Sequence, residues 1–145
     1  MIISKVEKKD YQELLKVWES SVKASHHFLK EEDFKELKVL ILNQYFDAVE
    51  LKCVRDDTNQ ILGFSGVLDN TLEMLFIDAT ARAKGLGKLL VNYAICNQLV
   101  TKVDVNEQNN EALGFYKHMG FKVIGRSKLD GQGKPYPLLH LELKK

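Results

Sequence analysis

One junction limits what this chain can fold into. Residues 72–88 read Leu-Glu-Met-Leu-Phe-Ile-Asp-Ala-Thr-Ala-Arg-Ala-Lys-Gly-Leu-Gly-Lys. An apolar stretch with strand character runs into a loop carrying Arg82, Gly85 and Gly87. A helical stripe of Leu86, Leu89, Leu90, Tyr93 and Ala94 starts at once. A strand that turns straight into a helix leaves the helix's first N–H groups without intrahelical partners. The helix dipole places roughly half a positive charge there, and glycines let a bulky anion approach the backbone. The ligand implied is a phosphate or pyrophosphate, with Arg82, and Lys84 or Lys88, adding charge-assisted contacts. Two familiar phosphate loops fail on the letters. A Walker loop needs Gly and Ser or Thr where the chain has Arg82 and Leu89, and a dinucleotide fingerprint needs Gly at Leu90. The plainer account, in which Gly85 and Gly87 only shape a turn, stays open on the glycines alone.

The rest of the chain supplies layers around that junction. Ile2 to Val6 reads as a strand, and Tyr11, Leu14, Leu15, Trp18 and Val22 form an amphipathic stripe. A second stripe, Phe34, Leu37, Ile41 and Tyr45, opens on Glu31, Glu32 and Asp33, where a helix N-terminus favours negative charge. Leu51 to Val54, Ile61 to Leu68 and Leu72 to Ile77 read as three strands separated by the turn clusters at 56–59 and 69–70, hence an antiparallel meander. After the junction helix come a short strand at Thr101–Val105 and a helix with Ala112, Phe115, Tyr116 and Met119 that should stop at Gly120. Two closing strands follow, Phe121–Gly125 and Leu138–Leu143. The order β-α-α-β-β-β-α-β-α-β-β predicts an α/β fold with a single mixed, mostly antiparallel sheet and helices on both faces.

Composition narrows the partners. With 145 residues, 45% hydrophobic and 28% charged, the chain suits one globular domain spanning 1–145 and neither a disordered nor a fibrous protein. A net charge of +1 lacks the basic excess expected of a nucleic-acid or membrane-surface binder. The longest apolar runs, such as Val39–Leu42, are far short of a membrane span. No signal-like segment opens the chain, so a cytoplasmic location is expected. Cys53 and Cys96 are too few and too far apart for a disulfide framework or a zinc spacing, and His26 and His27 are adjacent rather than spaced as ligands; no metal is expected.

A second segment, Asn109-x-x-Ala112-x-x-Phe115-Tyr116-x-x-x-Gly120-Phe121, follows the first. With Arg-x-x-Gly-x-Gly at 82–87 before it, the chain resembles the GCN5-related N-acetyltransferase family, which binds acetyl-CoA. The element order matches over nearly the whole chain, while the specific motifs lie between Leu72 and Phe121. The stretches at 21–29 and 133–139 are similar to those of a subgroup of small bacterial members. Two departures stand out: Ala79 where members often have Pro, and Ala83 where they often have Gly. A positive φ at Ala83 would cost about 1 kcal/mol.

The resemblance implies that acetyl-CoA lies between two splaying strands, here Leu72–Ile77 and Thr101–Val105. Main-chain groups around Leu75, Phe76 and Ile77 would hold the acetyl and pantetheine end, one N–H polarising the thioester carbonyl. Residues Arg82, Ala83, Lys84, Gly85, Leu86, Gly87 and Lys88 would hold the pyrophosphate. Tyr116 matches the family's general acid; packing in a core stripe is its plainer role. Asn109 matches the cofactor-binding Asn and also suits a helix N-cap, two roles that are compatible. A carboxylate must help deprotonate the acceptor amine, and Glu73 and Asp104, one on each splaying strand, are the candidates. Strand parity puts Glu73 on the face of Leu75 and Ile77, as a tuned base or an exposed edge acid. His26 and Tyr136 would line the acceptor cleft; their plainer roles are a helix-end histidine favoured by the dipole and a packing tyrosine. The expected activity is direct acetyl transfer from acetyl-CoA to the amine of a small molecule or protein. The alternative is an acetyl-CoA-binding regulatory or sensing domain with little turnover. Family members are often homodimers.

Overall fold

The computed structural model describes residues 2–144. Seven strands form one sheet: β1 (Ile2–Lys5), β2 (Glu50–Arg55), β3 (Ile61–Leu68), β4 (Thr71–Ile77), β5 (Lys102–Asn106), β6 (Phe121–Ser127) and β7 (Leu138–Leu143). Their order is β1-β2-β3-β4-β5-β7-β6, antiparallel throughout except between β4 and β5. The expected meander is β2-β3-β4, and its second turn has Asp69 and Asn70 at φ +49° and +65°, the left-handed pair of a tight hairpin.

Helices cover both faces. On one, α1 (Tyr11–Ser25) buries Leu14, Leu15, Val17, Trp18 and Val22 against Phe64, Met74 and Phe76. The Trp18 ring stacks on Phe34 of α2 (Glu31–Leu40), with centroids 5.1 Å apart. The second stripe departs from the helix expected of it: after Leu40 the chain widens into a π turn, Ile41–Tyr45, before the short α3 (Phe46–Ala48). That insertion lets Ile41 and Phe46 both enter the core. On the other face, α4 (Leu86–Gln98) buries Leu86, Leu90, Val91 and Ala94, while Leu89, expected in the stripe, stays exposed. The last helix, α5 (Asn110–His118), rests Tyr116 against Phe121 and ends before Gly120 at φ +102°. No helix among the described residues is long and apolar enough to cross a membrane.

Two irregularities in β4 position the site. Gly66 opposes Met74 but Val67 opposes Leu72, so Glu73 is the extra residue of a β-bulge. The bulge resets the strand's alternation: Leu72 packs with Val91 and Ala94 of α4, whereas Met74 and Phe76 join the α1 side. Glu73 itself is the bulged residue, so the alternation that sets Leu75 and Ile77 on one face does not extend to it. The second irregularity is a fork. β4 and β5 pair only at Thr71↔Lys102 and Leu72↔Val103. Beyond that, β4 stays with β3 to Ile77 and β5 stays with β7 to Asn106. A bulge adds local twist, and here it sits where the two strands part.

Candidate active site

The fork opens into a cleft of about 360 Å³, roofed by α4 and α5 and reaching the end of α1. Its floor is the free edge of β4. The Asp78 N–H donates to the Leu62 carbonyl at 2.8 Å, so Leu62 and Asp78 are a hydrogen-bonded pair. Antiparallel strands alternate bonded and non-bonded pairs. Phe76 therefore turns its main chain toward Phe64, while Leu75 and Ile77 turn theirs away from β3 and into the gap that β5 has left. Of the three residues expected to offer backbone groups, Phe76 is thus corrected: it contributes a ring at the wall, 5.7 Å from Phe64, and Leu75 and Ile77 offer the amides.

At the wider end lie the residues of the glycine loop. Gly85 caps α4 in the left-handed conformation, φ +75°, and no side chain caps the helix's first N–H groups. No acidic residue stands in that first turn, and Lys88 does. Arg82, Ala83, Gly85, Leu86, Gly87 and Lys88 all line the cleft; Lys84 is exposed and does not. Arg82 bridges the walls, with Nη1 3.4 Å from the Glu111 carboxylate of α5 and Nη2 3.5 Å from the Ser21 carbonyl of α1. Gly87 is a close approach: a Cβ there would sit 3.4 Å from the Phe115 ring. Ala83 lies at φ +67°, so the loop does ask an L-residue for the left-handed region.

Tyr116 and Asn109 close the α5 side. Asn109 Oδ1 accepts the Ala112 N–H at 3.1 Å as an N-cap, which leaves its amide nitrogen for the cleft that the residue also lines. Tyr116 is buried yet reaches the cleft, and burial alone raises its pKa, with no hydrogen-bonding neighbour contributing. It therefore keeps its proton across the physiological range.

His26, at the end of α1, also lines the cleft. Its Nδ1 is 2.8 Å from Ser25 Oγ. Burial, then the Arg82 and His27 charges, push its pKa down to about 4. Desolvation thus outweighs the helix dipole that would favour a charged ring, and His26 is neutral at pH 7. Tyr136 does not line the cleft. Its hydroxyl donates to Asp33 and accepts the Lys30 N–H at 3.2 Å, and Lys134 reaches Asp33 at 2.6 Å and Glu36 at 2.8 Å. Phe28 stands between Tyr136 and the site, its ring 6.1 Å from Tyr136 and 5.3 Å from His26. It braces the 128–137 loop against α2.

Glu73 and Asp104 are not part of the cleft wall; they flank the tip of the fork, each the first residue beyond the last β4–β5 pair. Both are exposed. Desolvation of the carboxyl, then the charges of Asp104 and Asp69, raise the Glu73 pKa. Asp104 Oδ1 lies 2.6 Å from His140 Nδ1, and His140 Nε2 lies 2.7 Å from Ser127 Oγ. Sequence reasoning missed His140 and Ser127. They are 36 and 23 residues from Asp104, and only the β5-β7-β6 order brings the three together.

Comparison with known proteins bears on this cleft. Residues 48–123 match the family model described as an acetyltransferase (GNAT) domain. The chain is 41% identical over 130 residues to the peptidyl-lysine N-acetyltransferase YjaB of Salmonella typhimurium, covering 90% of this chain and 89% of that protein. Its structure is similar to the solution structure of apo-form YjaB from Escherichia coli, with TM-score 0.85, 38% identity and coverage of 98% and 97% of the two chains. It shares its fold with the PaiA N-acetyltransferase of Thermoplasma acidophilum solved in complex with coenzyme A, with TM-score 0.72, 21% identity and coverage of 99% and 98%.

Proposed function

We propose that this chain, which belongs to the GCN5-related N-acetyltransferase (GNAT) family and transfers the acetyl group of acetyl-CoA to an amine, takes lysine side chains of proteins as its acceptors. The relatives named as peptidyl-lysine acetyltransferases support that acceptor. The observation that carries the site is the fork: main-chain groups of Leu75 and Ile77 face a gap that runs on to the uncapped N-terminus of α4.

In this reading the pantetheine adds to β4 as a strand would, and one free N–H of Leu75 or Ile77 polarises the thioester carbonyl. A preorganised donor of this kind is worth a few kcal/mol. The diphosphate sits on the α4 N-terminus between Arg82 and Lys88, with Asn109 across from it. Lys84 contributes charge from outside the cleft rather than a contact. An acceptor amine with pKa about 10.4 is mostly protonated at pH 7, and neutralising it costs about 4–5 kcal/mol. Glu73 and Asp104, at the tip of the fork, offset part of that cost as bases. Tyr116 gives its proton to the departing thiolate, a contribution of about 10²–10⁴ in rate. His26 forms the neutral wall beside the acceptor, and Tyr136 shapes that wall through Phe28.

Calorimetric titration with acetyl-CoA, CoA and ATP, followed by thiol release with lysine peptides and small amines, tests the reading. Acetyl-CoA binding that ATP does not compete away, with release faster on peptides than on free amines, is expected. Binding without thiol release on any amine would favour the sensing alternative instead.

A further inference from the structure

A row of polar residues crosses the outer half of the sheet, on the face turned away from α4 and α5. Val103 and Val105 pack toward those helices, so Lys102, Asp104 and Asn106 point the other way. Asp104 pairs with His140 on β7, and His140 pairs with Gly125 on β6. Gly125 leaves room for the ring, since a Cβ there would already lie 3.6 Å from His140 Cδ2. Ser127, two residues on, reaches the ring from the far side. The row thus starts at the fork and ends at the sheet's edge strand.

Valence sets the direction of these hydrogen bonds. An ionised carboxylate only accepts, so His140 Nδ1 must carry the hydrogen given to Asp104 Oδ1. Nε2 then holds a lone pair, and the Ser127 hydroxyl donates to it. One tautomer satisfies the whole chain, and Asp104 is held with Oδ2 free. The Asp104 carboxylate, still exposed and anchored at Oδ1, suits a ligand with N–H donors and positive charge.

We propose that Asp104 seats the acceptor's primary ammonium, and that His140, backed by Ser127, is the positioning residue that holds Asp104 there. The inference rests on the acetyl-transfer reading and names the residues that receive its acceptor. The nitrogen loses two protons as it becomes an amide and its lone pair displaces the thiolate from the acyl carbon. One passes to Asp104 Oδ2 and on to water; the other balances the proton Tyr116 gives the thiolate.

Steady-state kinetics with a lysine peptide and with a simple alkylamine test this, beside acetyl-CoA calorimetry and thermal melts. Asp104→Asn should lower kcat about 100-fold and His140→Ala at least about tenfold, with acetyl-CoA affinity unchanged. His140→Gln, whose amide can still donate to Asp104, should restore kcat to within about threefold. The double variant Asp104→Asn/His140→Ala should be no slower than Asp104→Asn alone, because His140 acts through Asp104. Losses that multiply, or His140→Ala at full kcat, would overturn the proposal. If His140→Ala does not fold, Ser127→Ala, which frees Nε2, carries the same comparison. Peptide turnover no better than alkylamine turnover would refute the protein-lysine reading, yet both substrates report on the seat.

Discussion

Replacing Tyr116 by Phe removes one hydroxyl from the junction of cleft and core, and the structure fixes what that should do. Burial holds the Tyr116 pKa well above its ordinary value of 10.0, so the phenol is protonated at any pH at which the protein is assayed. It is therefore always a proton donor and never a base. The ring packs on Phe115 and Phe121, at centroid distances of 5.1 and 5.9 Å, and Phe keeps both contacts. No neighbour's hydrogen bond contributes to the shift, so no buried partner is left stranded. Stability should change by less than about 1 kcal/mol, with acetyl-CoA affinity unchanged within twofold or so. Activity is a different matter. If the hydroxyl protonates the leaving thiolate, kcat should fall by about 10²–10⁴, which at 1.36 kcal/mol per decade is roughly 3–5 kcal/mol of barrier. Thiol release under saturating acetyl-CoA measures it directly. A Tyr116→Phe protein that melts and binds like the wild type but keeps kcat within about fivefold would show the residue to be packing alone.

Ala83 stands at φ +67°, so Ala83→Gly should relieve about 1 kcal/mol of left-handed strain and raise Tm by a few degrees, read by scanning calorimetry. Gly87→Val places a branched side chain where a Cβ already meets the Phe115 ring at 3.4 Å; acetyl-CoA affinity should drop at least tenfold with the fold intact by circular dichroism. His26 has a folded pKa of about 4 against an ordinary 6.5, so the unfolded chain binds its proton first. The stability that neutral His26 contributes is present above pH 6.5 and is lost as pH falls toward 4, by up to roughly 3 kcal/mol. Urea midpoints at pH 7.5 and 4.5 should therefore converge between wild type and His26→Asn, and parallel pH slopes would contradict the assignment.

Short-range chemistry fixed much of the fold. Leu14, Trp18 and Val22 at helical steps face the core as their spacing requires, and the Asp69-Asn70 turn makes its hairpin because those residues tolerate positive φ. Gly85 followed by an apolar stripe announced the uncapped start of α4. The left-handed turn at Gly85, the N-cap at Asn109 and the inward face of Tyr116 were legible for the same reason: each depends on neighbours within a few residues in the chain. The bulge at Glu73 was not legible, because a bulge is a relation between two strands and neither strand's letters reveal it. The π turn at Ile41–Tyr45 hid in the same way behind a continuing helical stripe.

What tertiary structure alone decided lies across the sheet rather than along it. Tyr136 was expected in the acceptor cleft, yet Asp33 and Lys30, more than a hundred residues earlier, take its hydroxyl and turn it into a brace. Asp104 was expected as a candidate base on its strand, but only the place of β7 between β5 and β6 set His140 beside it and Ser127 behind. Local preference is a free energy of a few residues and is written in the order of letters. Strand order, register and the place where β4 and β5 separate come from how all the layers pack together, and only the folded molecule contains that sum.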